Sequence, residues 1–133
     1  MRATQPIDIL LVDVLRQFPQ ICLAVLFGSL VSGHQRQDSD LDIAVSASLP
    51  LADEEKIAII GALAERTGRS IDLVDLRMAG GPLLGQIVRH GRRILGSDTL
   101  YGNLISRYLF EQADFMPYRD RILAERRQAW IGI

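Results

Sequence analysis

The sequence predicts an α/β (α+β) fold, a small mixed β-sheet with helices packed on one side and a helical C-terminal tail. Three observations carry that reading. Apolar residues recur at helical spacing, then in strand-length runs, in the order helix, strand, strand, helix, strand, helix, helical tail; this is the order of a layered sheet-and-helix domain. Of the 133 residues, 48% are hydrophobic and 23% charged, the balance of an ordinary globular protein. A core of this size buries roughly two-thirds of the surface its unfolded chain exposes. One domain is therefore expected over 1–133, with its core in 7–96 and C-terminal helices in 97–130, and no room for a separate acceptor-binding domain.

Ile7, Leu10, Leu11, Val14 and Leu15 recur at helical spacing and Pro6 suits a first turn, which predicts a helix ending near Phe18-Pro19. Ile21–Phe27 is a continuous apolar run stopped by Gly28-Ser29, as expected of a fully buried strand. A polar loop from Gly33 to Ser39 leads to a second strand, Leu41–Val45. After the Pro50 turn a helix runs from Glu54 to Arg66, with Ile57, Ile60 and Leu63 inward and Gly68 as its cap. Ile71–Leu76 is the third strand, Pro82–His90 a shorter helix closed by Gly91, and Arg93-Ile94-Leu95 an edge strand. Ser97-Asp98 opens a long helix to about Ala113, and Pro117 starts another toward Trp130.

Charge and composition narrow the function. The net charge of −1 gives no field for salt-dependent binding to nucleic acid, so DNA or RNA is not the expected partner. Cys22, the only cysteine, lies within the apolar run Ile21–Phe27 and is read as a small buried hydrophobe; no disulfide forms within one chain. That run is far short of the roughly 20 residues a membrane helix needs. Residues 1–6 lack the apolar middle of a signal peptide. A cytoplasmic protein without a membrane contact is expected.

The chemistry concentrates in three features. Gly28-Ser29 ends the first strand, Asp40-x-Asp42 opens the second, and Asp72 lies in the third. Asp40 and Asp42 are two apart on an extended chain, so their carboxylates share a face, roughly 6.5 Å apart. At that distance they repel by about 2.5 kcal/mol in an effective dielectric near 20, and a third carboxylate adds to it. A divalent cation removes the penalty. Oxygen-only ligands select Mg²⁺ or Mn²⁺, and Mg²⁺ fills its remaining positions with water and substrate phosphates. Glycine allows close backbone approach, while the serine hydroxyl and adjacent N–H groups suit phosphate oxygens. Neither GxxxxGK[ST] nor GxGxxG is present.

Gly28-Ser29, ten residues, Asp40-Leu41-Asp42 and the later Asp72 resemble the signature of minimal nucleotidyltransferases of the polymerase-β-like superfamily, over roughly Ile21 to Leu76. Within it, Asp38-Ser39-Asp40-Leu41-Asp42-Ile43 and Ile71-Asp72-Leu73-Val74-Asp75-Leu76-Arg77 are similar to MntA-type antitoxins. Such antitoxins adenylylate a tyrosine of a HEPN-class ribonuclease toxin of the HepT type. The resemblance implies a polymerase-β-like fold, ATP as substrate, two Mg²⁺ ions with Mn²⁺ as an alternative, and a hetero-oligomer with the toxin. It assigns Gly28 and Ser29 to the triphosphate, Asp40 and Asp42 to the metal pair, and Asp72 to the third carboxylate beside the acceptor hydroxyl; position alone makes Asp72 the candidate general base. The family often carries an arginine four residues after the glycine; Ser32 stands there, and Arg36 is the candidate substitute. Two competing readings are a free-standing transferase for small molecules or nucleic-acid ends, and a non-catalytic antitoxin acting by occlusion.

Neighbouring residues are read structurally. Asp38 favours a local turn bond in the loop and stays outside the metal site. Asp75 has the opposite parity to Asp72 and is assigned to the strand end, although a one-residue shift of register would exchange the two. His34 is expected in solvent, because hard metals prefer oxygen. His90 suits the end of a helix. Arg89, Arg92, Arg93, Arg119, Arg121, Arg126 and Arg127 are read as solvated surface rather than a docking face. The apolar end, Trp130-Ile131-Gly132-Ile133, is expected to pack on its own domain.

Overall fold

Helix α1 (Pro6–Leu15) leads into strand β1 (Ile21–Phe27) and strand β2 (Leu41–Ala47), followed by helix α2 (Asp53–Thr67), β3 (Ile71–Asp75), α3 (Gly81–His90) and β4 (Arg92–Leu95). A further helix, α4, occupies 98–113. The structure is a computed structural model that describes residues 6–28, 31 and 40–113. Ser29, Ser32, His34, Arg36, Asp38, the helix expected from Pro117, its four arginines and the Trp130 terminus lie outside the described residues.

The four strands stand in the order β3-β2-β1-β4. β1 is antiparallel to both β2 and β4, whereas β2 and β3 are parallel. A parallel pair needs a crossover, which α2 supplies between β2 and β3. The sheet is mixed, as expected from the sequence.

Its helices do not lie on one side. Leu11 and Leu15 of α1 and Ile59 and Leu63 of α2 pack with Leu26, Leu41, Ile43 and Val45 on one face. On the other face, Leu84 and Ile87 of α3 and Leu104 and Tyr108 of α4 pack with Val25, Phe27 and Ala44. The continuous apolar run of β1 reflects this: both parities of a central strand covered on both faces must be apolar.

The inner face of α2 also departs from expectation. Ile59 and Leu63 are fully buried, while Ile57 is 69% exposed. Residues four apart lie one above the other on a helix, but six residues turn through about 600°, which leaves Ile57 about 120° from Leu63. Gly68 caps α2 in the left-handed region, donating its N–H to Ala64 O at 2.8 Å. At the other end Glu55 accepts the Ala52 N–H at 3.1 Å and the Gln20 side-chain amide at 2.9 Å, which ties the start of α2 to the approach to β1.

The long helix α4 begins as expected, with Ser97 Oγ accepting the Leu100 N–H at 3.1 Å. Ser97→Ala removes that cap, and a loss of about 1 kcal/mol is expected in urea unfolding. Gly91 closes α3 through its N–H to Ile87 O at 2.9 Å. Cys22 is half-buried, with its Sγ donating to Ser46 O at 3.3 Å. No helix among the described residues is long and apolar enough to cross a membrane.

Three arginines expected in solvent are engaged with the chain itself. Arg92 pairs with Asp8 at 2.8 Å and Arg93 with Asp98 at 2.7 Å. Arg93 also lies 4.8 Å from the centre of the Tyr101 ring, and exposed Arg89 lies 5.7 Å from that of Tyr108. Periodicity places an arginine on a strand or helix but does not say which acidic or aromatic side chain it meets, whether five residues away, as Asp98 is from Arg93, or 84, as Asp8 is from Arg92.

Candidate active site

Strand alternation aims the carboxylates. Leu41, Ile43, Val45 and Ala47 enter the core formed with α1 and α2, which turns Asp42 and Ala44 to the opposite face. On β3, Ile71 and Leu73 pack on the first face and Val74 on the second, so Asp72 shares the side of Asp42. The parallel register places Asp42 directly opposite Asp72, and the antiparallel register places Phe27 opposite Asp42 on its other flank. Three strand ends meet here: the end of β1 and the beginnings of β2 and β3.

Gly28 continues from Phe27 with φ of +76°, and its carbonyl accepts the Val31 N–H at 3.2 Å. A Cβ at this position would stand 2.9 Å from Cγ of Asp42 and overlap its Oδ2. The sequence offered Gly28 as a place for close approach of a ligand. The structure adds that the missing side chain makes room for the Asp42 carboxylate itself.

Asp42 is half-buried, while Asp40 and Asp72 are exposed. Burial, then the charge of Asp72, a hydrogen bond shared with Asp72 and the charge of Asp40 together hold the Asp42 carboxyl above its ordinary value of 3.8. Among the described residues, no three His, Cys, Asp or Glu side chains form a group that holds an ion by themselves. Asp42 and Asp72 are brought together; Asp40 remains an exposed neighbour whose charge still reaches Asp42. This donor set suits a hard divalent ion, since a cation would relieve the repulsion that adds to burial in raising the Asp42 carboxyl. Mg²⁺ takes its other ligands from water and phosphate.

Asp75 is outside this group. Its Oδ1 accepts the Arg77 N–H at 2.9 Å and its carbonyl accepts the Met78 N–H at 3.0 Å, so it shapes the turn that ends β3. The strand-end role expected from parity is the one observed. A hollow of ≈ 970 Å³ lies elsewhere, between α3 and α4, lined by Pro82, Gly85, Arg89, Tyr108 and Glu111 among others; none of the three aspartates lines it.

Residues 10–100 match the family described as Polymerase beta, Nucleotidyltransferase. Over 110 residues the chain is 36% identical to the protein adenylyltransferase MntA of Shewanella oneidensis, covering 80% of this chain and 79% of that protein. The chain belongs to the MntA family of polymerase-β nucleotidyltransferases. Solved structures agree with this placement in the MntA family. A chain of a toxin–antitoxin crystal structure with AMP-PNP is 31% identical, with a TM-score of 0.69 over 87% of this chain and 98% of that one. A chain from the complex of tri-AMPylated Shewanella oneidensis HEPN toxin with MNT antitoxin is 30% identical, with a TM-score of 0.63 over 88% of this chain and 96% of that one. In this chain Asp42 and Asp72 stand side by side at the strand ends, next to Gly28.

Proposed function

We propose that this chain is an antitoxin that transfers AMP from ATP to a tyrosine hydroxyl of a cognate HEPN-type (HepT) ribonuclease toxin in the cytoplasm, and so neutralises it. What carries the reading is the in-register pair of Asp42 and Asp72 beside Gly28, in a chain 36% identical to a protein adenylyltransferase. A relative solved in complex with a tri-AMPylated HEPN toxin supports the choice of acceptor.

Asp40, Asp42 and Asp72 are the residues to hold two Mg²⁺, with Mn²⁺ as an alternative. Bound there, the ions would lower the pKa of the attacking hydroxyl and neutralise the leaving pyrophosphate. Gly28 and Ser29 bind phosphate oxygens, and Arg36 supplies the cation that Ser32 does not. The tyrosine oxygen attacks the α-phosphorus of ATP, the bond from that phosphorus to the oxygen bridging to the β-phosphate breaks, and pyrophosphate departs. Asp72 accepts the hydroxyl proton. Its exposed position on β3, a strand at the sheet edge, leaves it open to an acceptor carried by another protein.

Incubating the chain with ATP, Mg²⁺ and the protein encoded beside it is expected to add AMP to that neighbour, read by intact mass. An unchanged mass overturns the reading, and transfer to a small molecule without a protein partner replaces it. Arg36→Ala is expected to raise the KM for ATP about tenfold, as loss of one charge-assisted phosphate contact does; an unchanged KM removes Arg36 from the site.

A further inference from the structure

Asp8 is the one charged side chain among the described residues that is fully buried. It lies in the first turn of α1, on the stripe Asp8, Leu11, Val12 and Leu15 that is turned inward. Its Oδ1 accepts a hydrogen bond from Arg92 Nη2 at 2.8 Å, while Oδ2 and the Arg92 Nε are buried and find no partner among the described residues. Ion pairs taken out of water roughly break even against apolar side chains of the same volume. By that measure a contribution to stability does not account for the pair.

Its place in the sheet does. Arg92 opens β4, a four-residue edge strand, and stands opposite Leu26 in the rung of the β1–β4 ladder nearest the carboxylates. The next residue of β1, Phe27, stands opposite Asp42, and Gly28 lies against the Asp42 carboxylate. From the other side, β1 is held by β2 through that same rung. A short edge strand frays from its first residue unless something anchors it. Asp8 provides the anchor from α1, across 84 residues of sequence.

We propose that Asp8 and Arg92 are positioning residues for the transferase site: they fix the end of β1 from its outer flank, and with it Gly28 and the alignment of Asp42. The inference rests on the transferase reading above. It assigns neither residue a contact with substrate.

The test replaces the pair with apolar side chains of similar size, Asp8→Leu with Arg92→Met, in the full chain. The melting temperature is expected to be no lower than that of the parent. The KM for ATP in AMP transfer is expected to rise about tenfold, the scale of a small misplacement of a binding group. Backbone amide exchange is expected to accelerate in residues 24–28 and 92–95 and to stay unchanged in β3. A folded double variant with the parent's KM and the parent's exchange overturns the proposal. Should the double variant not fold, Asp8→Asn, which keeps the shape and removes the charge, takes its place with the same two measurements. Absence of transfer by the parent identifies failure of the transferase reading separately, and amide exchange then decides the positioning role alone.

Discussion

Asp42→Asn is expected to lower the rate of AMP transfer by about 10³-fold while raising the melting temperature of the metal-free protein at pH 7. The rate effect follows from losing the one carboxylate that stands in register with Asp72 and against Gly28. Charge stabilisation by a bound divalent ion is worth several kcal/mol, and about 4 kcal/mol corresponds to a factor of about 10³. The stability effect has the opposite sign because burial and the charges of Asp72 and Asp40 raise the Asp42 carboxyl above 3.8 in the folded chain. The folded state therefore retains a proton that the unfolded chain has already released. That contribution is fully present below about pH 3.8 and is lost as pH rises through the raised value, so at neutral pH the ionised group weighs against the fold. Asparagine carries no charge, and its advantage should shrink as pH falls toward 4. Single-turnover transfer and melting curves from pH 4 to 7 check both halves. Activity within tenfold of the parent would remove Asp42 from the metal site.

The parts of this site that depend on local pattern were legible in the sequence. Ile21–Phe27 had to be a buried strand, because seven apolar residues stopped by Gly28 fit nothing else of that length. Leu41 and Ile43 fixed the parity of β2, and so turned Asp42 to the face opposite them. Asp75 could be set aside on parity, and its bond to the Arg77 N–H shows what it does instead. Pairings made through space were not legible. The alignment of Asp42 with Asp72 depends on where α2 returns the chain, which no spacing between the two residues specifies. Asp8 shares a helical stripe with Leu11, Val12 and Leu15, and its burial is made tolerable by Arg92, a partner that local spacing does not reveal. Coverage of both sheet faces was implicit in β1, where both parities are apolar, but assigning α3 and α4 to the second face required the crossover geometry.

Gly28→Ala is expected to cost about 10²-fold in transfer, with a loss of stability that does not by itself explain the fall. Two penalties act at the site. A non-glycine residue at φ of +76° costs about 1–2 kcal/mol. The new methyl would also overlap Asp42 Oδ2 and stand 2.9 Å from its Cγ, so the carboxylate must swing away or the rung between Phe27 and Asp42 must open. Either response displaces the charge aligned with Asp72, and a misplacement of about 1 Å in a catalytic constellation costs about 10²-fold. Gly68 separates the two penalties. It has nearly the same φ, +68°, but a Cβ there meets nothing within 4 Å. Gly68→Ala should therefore show the backbone cost alone, about 1 kcal/mol in unfolding, with kcat/KM unchanged. If Gly28→Ala behaved like Gly68→Ala in both measurements, the contact between glycine and carboxylate would have no part in aligning the reaction. If its activity fell while its stability matched, then the absence of a side chain at the end of β1 is a requirement of the chemistry as well as of the turn.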